Sequence, residues 1–232
     1  MTEPSVQIFA ASAQEYDAWF DRHPLVYESE IQALKRFSGS GGIGLEIGVG
    51  TGRFAVPLGI GVGVEPAAAM ANLARQRGIM VVRGVAEALP FRSGSFDSAV
   101  MVTVICFLRD PFLSLTEATR VLKPGGRLII GLIDRDSPLG RSYEAHKSES
   151  RFYRYANFFS IRQVVEWLEK LTYRKIQVCQ TLFGRLNGLT HPDPVREGHG
   201  HGGFVVIAAQ RNPKEPDRAG LTGLSGSRII SN

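Results

Sequence analysis

The stretch Gly42–Pro66, GIGLEIGVGTGRFAVPLGIGVGVEP, decides how the rest of the chain is read. It holds two short apolar runs, IGLEIG and IGVGVE, with a glycine-dense loop between them. Its only charged residues are Glu46, Arg53 and Glu65. The first run reads as a strand that delivers Glu46 and then Gly48, Gly50 and Gly52. The second reads as a strand that ends on Glu65. Glycine lets the backbone turn tightly and lets a ligand come close. The segment between the runs reads as a short helical turn, whose N-terminal N–H groups and positive dipole suit an anion such as a carboxylate or phosphate.

Two details narrow the ligand. The dinucleotide fingerprint G-x-G-x-x-G needs glycine at position 53, where Arg53 stands. The spacing here is G-x-G-x-G, with Glu46 two residues ahead of it. A carboxylate beside the loop repels a pyrophosphate and attracts an ammonium group. Glu65 ends the second strand, the place where ribose hydroxyls are gripped in such folds. The expected ligand is a nucleoside with a zwitterionic amino-acid end and no phosphate.

Outward from this core, strand and helix patterns alternate. PAAAMANLARQRG reads as a helix with Pro66 in its first turn and Gly78 at its end. IMVVRG is a third strand and FDSAVMVTVICFL a long buried one. DPFLSLTEATRVLKPGG reads as a helix capped by Asp110, begun by Pro111 and stopped at Pro124–Gly125, and GRLIIGLID as the next strand. Ser160 and Gln163 open a helix to about Lys170, and YRKIQVCQTLF and GGFVVIAAQ supply the last two strands. Continuous apolar strands alternating with helices imply a parallel sheet covered on both faces. No helical pattern separates the last two strands, so the final one is expected to be antiparallel. The fold class is α/β, a doubly wound, mostly parallel seven-stranded sheet. Ligands then sit at the carboxyl ends of the strands.

Ahead of this unit, SAQEYDAWF suggests a helix opened by a capping box of Ser12 and Glu15, after a loose segment 1–11. A second helical pattern runs from Leu25 to Phe37, with Ile31, Leu34 and Phe37 on one stripe. The expected organisation is a helical lid over residues 1–40, a main domain over 41–210 with an insert over about 135–159, and a polar, disordered tail over 211–232.

Four stretches taken together carry a resemblance. LEIGVGTGRFA is similar to the first motif of class I S-adenosylmethionine-dependent methyltransferases, and GVEPAAAMANLAR to their second. GVAEALPFRSGSFDSAVMV followed by EATRVLKPGGRLII resembles the type 11 group, relatives of quinone-biosynthesis methyltransferases. The match spans about residues 44–133 and implies a Rossmann-like fold with S-adenosyl-L-methionine as cofactor. It also implies roles. Gly48, Gly50 and Gly52 pass under the methionine end and Glu46 organises its amino group. Glu65, with Pro66 after it, holds the ribose diol. Ala86 and Glu87 lie beside adenine, Thr103 faces the sulfonium, and Tyr16 covers the site. Two departures stand out: Val85 replaces the acid common before the AEALPF alanine, and VTVICFLRDP lacks the histidine many relatives carry after the fourth strand.

Methyl transfer from a sulfonium is an in-line displacement, so orientation and exclusion of water are the protein's main work. A protonated nucleophile also needs a general base. The candidates are Asp134, at the end of its strand, and His199, in the turn THPDPVREGHGHGGF between the last two strands. Tyr143 and His146 of the aromatic, arginine-containing insert, and Glu197 and His201 of that turn, are the expected substrate contacts. The insert's arginines and tyrosines suggest a small acceptor, anionic or aromatic.

Composition excludes several classes. At 44% hydrophobic and 21% charged over 232 residues the chain is globular, with enough length for a real core. No apolar run suits a membrane span. The first residues, MTEPSVQIF, lack a secretory pattern, and the two cysteines, Cys106 and Cys179, lie far apart in apolar stretches, which fits a reducing, cytoplasmic setting. Two cysteines and one H-x-H pair make a poor metal set, so no metal is expected. The net charge of +5 comes from scattered Lys and Arg with no nucleic-acid motif, so a nucleic-acid partner is not expected. The compact chain, without an added recognition domain, argues for a small-molecule acceptor over nucleic acid or protein. The intact motif set argues for an enzyme over a non-catalytic binder of the cofactor.

Overall fold

The computed structural model describes residues 1–39, 41–184 and 186–213. Most of the expected tail, from residue 214 on, lies outside the described residues. Among the described residues, eight strands form one sheet. They are β1 (Gly44–Ile47), β2 (Val62–Glu65), β3 (Met80–Arg83), β4 (Phe96–Val102), β5 (Leu122–Ile133), β6 (Arg174–Thr181), β7 (Arg196–Glu197) and β8 (Phe204–Gln210). Their spatial order is β3, β2, β1, β4, β5, β8, β6, β7. The first five pair in parallel, and β8 runs antiparallel between β5 and β6. The eighth strand corrects the expected seven. It is a two-residue edge pairing with Cys179 and Gln180, too short and too close to proline and glycine to show as a sequence pattern.

The helices are α1 (Glu3–Ala11), α2 (Ala13–Arg22), α3 (Pro24–Lys35), α4 (Ala68–Gln76), α5 (Pro111–Val121), α6 (Pro138–His146) and α7 (Ile161–Lys170). One face of the sheet buries Leu115, Ala118, Val164 and Leu168 from α5 and α7 against Leu45, Met101 and Ile130. The other buries Ala33, Leu34, Ala71 and Ala74 from α3 and α4 against Val100, Ile129 and Val206. Each large apolar side chain so buried contributes about 1.5–3 kcal/mol relative to exposure. A third cluster brings Phe9 and Ala13 together with Cys106, Phe107, Ile133 and Phe158, above the strand ends.

Caps decide several boundaries. Asp110 accepts from Leu113 N, Ser137 from Gly140 N and Ser160 from Gln163 N. The capping box expected at Ser12 does not form. Ser12 is the joint between two successive helices, and its side chain makes no cap bond. Segment 1–11, expected to be loose, is helical instead. Phe9 anchors it with rings 5.0 Å from Phe107 and 5.4 Å from Phe152, a gain visible only in three dimensions. The long apolar run after Phe96 is not one strand. It stops at Val102, because Thr103 turns to φ 50 and Ile105–Phe107 forms a 3-10 turn. The segment from Thr51 to Gly59 forms turns without a regular helix.

The order of strands reverses between β1 and β4, whose neighbours lead off in opposite directions. In open α/β sheets the crevice at that switch point, at the carboxyl ends, takes the ligand.

Candidate active site

The loop after β1 enters the crevice on glycines for stated reasons. Gly48 has φ 73, and a Cβ there would lie 2.5 Å from Val104 Cγ2. Gly50 has φ 54, and its backbone N–H donates to Glu65 Oε2 at 3.0 Å. Side chains with a Cβ rarely adopt that conformation. Gly52 faces away, toward Ala74 and Ile79 of the helical layer.

Two buried acids flank this loop. Glu65, at the end of β2, accepts from Gly50 N and, through Oε1, from Ala67 N at 2.8 Å. Burial raises its carboxyl pKa, and those two N–H groups hold it back. Glu46, in β1, is 1% exposed, and its Oε2 has no partner among the described residues. Burial raises it well above the usual carboxylate range and the Glu65 charge adds to this, against one bond from Ala55 N. Two like charges so buried are costly without a cation to pair with.

A cavity of about 520 Å³ opens over this loop. Its floor is Gly48, Gly50, Glu65, Thr103, Ile133 and Phe204, all at the strand ends. Thr103 is a β-branched residue at φ 50, held by its N–H to the Gly131 carbonyl at 2.8 Å. Such backbone strain collects at functional sites. The roof comes from α1–α3, through Phe9, Tyr16, Trp19, Phe20 and Glu30, and from the 135–159 insert, through Tyr143, His146, Lys147, Phe152 and Tyr153. Roof and insert are joined by the stacked rings of Phe9 and Phe152 and by an ion pair of Arg151 with Glu15.

Arg53, which breaks the dinucleotide fingerprint, clasps the roof to the floor. Its guanidinium donates to Asp17 Oδ1 at 3.0 Å and to Asp21 Oδ1 at 2.8 Å, and Arg77 donates to Asp17 Oδ2 at 2.8 Å. Burial opposes the ionised form of Asp17, but Arg53 and Arg77 outweigh it and pull its carboxyl down to about 2. The clasp sets Tyr16, one residue before Asp17, over Gly50. The Tyr16 ring packs edge-on against Phe9 and Phe20, at 5.5 and 5.3 Å. Burial raises its hydroxyl pKa, and the charges of Glu30, Glu46 and Glu65 raise it further.

The other expected residues fall in different places. Tyr143 and His146 line the cavity, whereas Pro66, Ala86 and Glu87 are not among its lining side chains. Pro66 turns the chain into α4 and accepts from Arg83 through its carbonyl. Ala86 is buried in the core beside Leu89. Glu87 accepts from the Met1 ammonium at 2.9 Å and from Arg109 N at 2.9 Å, and it is Met1 that reaches the cavity. Asp134 and His199, the base candidates, also lie outside the cavity wall. Asp134 is 1% exposed, its Oδ1 accepts from Asp136 N at 3.1 Å, and its carbonyl accepts from Ser137 Oγ, so it shapes the start of α6. Burial raises its carboxyl. His199 and His201 are exposed in the turn before β8. Glu197 is turned outward to Arg36 at 2.7 Å. Of the insert arginines, Arg141, Arg151 and Arg154 are exposed and Arg135 is half-buried; none lines the cavity, so the expectation of an anionic acceptor loses its basis.

Glu30 is the residue the sequence reading passed over. It lies in α3 on the same stripe as Val26, Ala33, Leu34 and Phe37, all buried. It is 8% exposed, and burial pushes its carboxyl up to about 8. An acid on an apolar helical stripe was the available signal. Cys106 is buried, its thiol pushed up to about 12 by burial, and it stays a core residue. Among the described residues no group of three His, Cys, Asp or Glu could hold a metal ion, and no helix is long and apolar enough to cross a membrane.

A family model for a methyltransferase domain, type 11, matches residues 45–130. The chain is similar to a crystal structure from Thermotoga maritima described as a SAM-dependent methyltransferase, possible histamine N-methyltransferase. The two are 49% identical with a TM-score of 0.86, over 89% of this chain and 99% of that one. An uncharacterized protein of Methanocaldococcus jannaschii is 47% identical over 206 residues, 89% of this chain and all of that protein's length. An uncharacterized protein of Mycobacterium tuberculosis is 34% identical over 223 residues, 92% of this chain and 77% of the relative. The glycine-lined loop and the Glu46 oxygen without a partner fit the cationic amino-acid end of S-adenosyl-L-methionine, and Glu65 fits its ribose. On sequence, fold and site, this chain belongs to the S-adenosylmethionine-dependent methyltransferases.

Proposed function

We propose that this methyltransferase acts on a small molecule held between the helical lid, residues 1–40, and the insert over about 135–159. The observation that supports it is the roofed cavity of about 520 Å³, lined on both sides by aromatic rings. That size lies in the range of sites that enclose small ligands, here donor and acceptor together. A nucleic-acid or protein acceptor would need a groove open to its backbone. The description of the Thermotoga relative, possible histamine N-methyltransferase, points the same way.

In this reading the donor supplies a methyl group activated by its positively charged sulfur. Glu46 and the loop of Gly48 and Gly50 hold the amino-acid end, and Glu65 the ribose diol. Gly52 supports the loop from behind. Ala86 and Glu87 shape the adenine side, with Glu87 acting through the Met1 ammonium it binds, and Pro66 follows Glu65 at the ribose. Thr103 and Tyr16 border the transfer point, and Tyr143 and His146 contact the acceptor. The lid and insert align the two reactants and keep water out, the terms that dominate such a displacement. Both cysteines are free and buried, in keeping with work in the cytoplasm.

The test is turnover of methyl-labelled S-adenosylmethionine with a panel of small amines, thiols, phenols and quinones, run beside RNA and protein acceptors. We expect label on a small molecule. Label on RNA or protein alone would overturn the reading.

A further inference from the structure

Glu30 has no function in donor binding as described, and its surroundings define one. It projects from α3 into the cavity while 8% exposed. No described residue donates a hydrogen bond to its carboxylate or forms an ion pair with it. Glu46 and Glu65 already stand at the donor loop, Glu65 lining the chamber and Glu46 buried beside it, so Glu30 in the chamber's roof is a separate feature. Tyr16 and Tyr143, both lining the cavity, lie within range of the Glu30 charge.

The rest of the wall agrees. Trp19, Phe20, Phe152 and Tyr153 present aromatic surface, and an ammonium held against such rings is stabilised by their quadrupoles. Among the described residues, the Met1 ammonium at the lining is tied to Glu87 at 2.9 Å, and Lys147 is tied to Glu144 at 2.6 Å and to the Ala156 carbonyl at 3.3 Å. Glu149 and Glu65 add negative charge to the lining. An acid buried with no partner among the described residues, in a cavity that is lined by aromatic rings and whose cations there are already paired, is built to receive a cation from outside.

We propose that the acceptor is a small aromatic or alkyl amine, and that Glu30 binds its ammonium group and takes its proton. The proposal rests on the small-molecule reading above and names the substrate class. The amine arrives as RNH3+ and passes one proton to the Glu30 carboxylate. Its freed lone pair forms the N–C bond to the methyl carbon as the C–S bond breaks. The sulfur keeps that electron pair and becomes a neutral thioether. The product leaves as RNH2CH3+, and Glu30 returns its proton to water. Burial that holds the free carboxyl up to about 8 suits it to this exchange, since a base works best when its pKa lies near the working pH.

The experiment compares wild type with Glu30→Gln and Glu30→Asp. Acceptors are phenethylamine and histamine, against 2-phenylethanol, thiophenol and phenylacetate, with labelled S-adenosylmethionine. Calorimetry measures phenethylammonium binding to the complex with S-adenosylhomocysteine. We expect wild type to methylate an amine and to ignore the alcohol of the same shape. Glu30→Gln should bind S-adenosylhomocysteine within about 3-fold of wild type yet lose amine binding about 10-fold or more, as expected when a charged partner is removed. Its kcat/KM on the amine should fall about 100-fold or more, the size of a general-base contribution. Glu30→Asp should recover part of both. Undiminished amine turnover in Glu30→Gln overturns the proposal. So does a wild type that methylates only the thiol, alcohol or acid, a result that leaves the small-molecule reading intact. Label on RNA or protein alone overturns both. Should Glu30→Gln fail to bind S-adenosylhomocysteine, the wild-type choice between amine and alcohol decides.

Discussion

Glu65 and Glu30 are both buried carboxylates lining one cavity, yet Glu65 accepts from Gly50 N and Ala67 N while no described residue donates to Glu30. The first is fixed by backbone two residues downstream and by the adjoining loop. The second has no such partner among the described residues, which is why we assign it the incoming ammonium. On the proposed donor side the polar atoms of Glu65 are already arranged by backbone N–H groups. On the proposed acceptor side, rings from α1–α2 and from the 135–159 segment line the cavity that Glu30 also lines.

Substitutions sharpen the contrast, beginning with the donor side. Glu65→Ala removes the acceptor for two N–H groups beside the expected ribose. We expect S-adenosylhomocysteine affinity to fall about 100-fold by calorimetry, in line with charge-assisted hydrogen bonds of about 1.5–3 kcal/mol. Glu30→Gln should do the opposite to stability. Burial raises the folded carboxyl pKa to about 8, whereas in the unfolded chain it ionises in the ordinary range. Between those values the folded state binds more protons, so the fold loses stability as pH rises through that window. Removing the charge should therefore raise Tm by about 5 °C near pH 8 and by little near pH 5, read by thermal melts at both. Equal shifts at both pH values would mean that Glu30 is not the strained acid described.

Much of the donor side was legible because its signals are local. Glycines at positive φ, an acid ending each apolar run and Pro66 before α4 all act within a few residues of one another. The acceptor side was not. Glu30 sits on the buried stripe of α3, a local signal, but that the stripe faces a cavity shows only once α3 packs on the sheet. The helix α1 depends on Phe9 meeting Phe107 and Phe152, residues remote in sequence. The long apolar run after Phe96 hid the bend at Thr103, because a buried strand and a buried turn share composition. Asp134, His199, Glu197 and His201 sit at the correct end of the sheet but outside the cavity wall: Ser137 and Gln180 bind the backbone at Asp134 and at His201–Gly202, and Arg36 holds the Glu197 side chain outward.

Smaller effects concern the join between the two sides. Asp17→Asn weakens the clasp of Arg53 and Arg77 that holds Tyr16 over the glycine loop. A loss of about 1 kcal/mol in urea unfolding is expected, with faster release of S-adenosylhomocysteine. Arg36→Ala removes an exposed pair with Glu197, outside the cavity. It should change stability by less than about 1 kcal/mol and leave ligand affinities as they are.

The most direct measurement is calorimetric titration of S-adenosylmethionine and, separately, NAD into the wild-type protein between about pH 5 and pH 8. Burial and the Glu65 charge hold the Glu46 carboxyl raised in the free protein, and a bound cation should ionise it. We expect S-adenosylmethionine to bind with release of protons and with affinity that climbs with pH, and NAD not to bind. Tight uptake of NAD, or S-adenosylmethionine affinity that falls as pH rises, would contradict a donor site built around two buried acids.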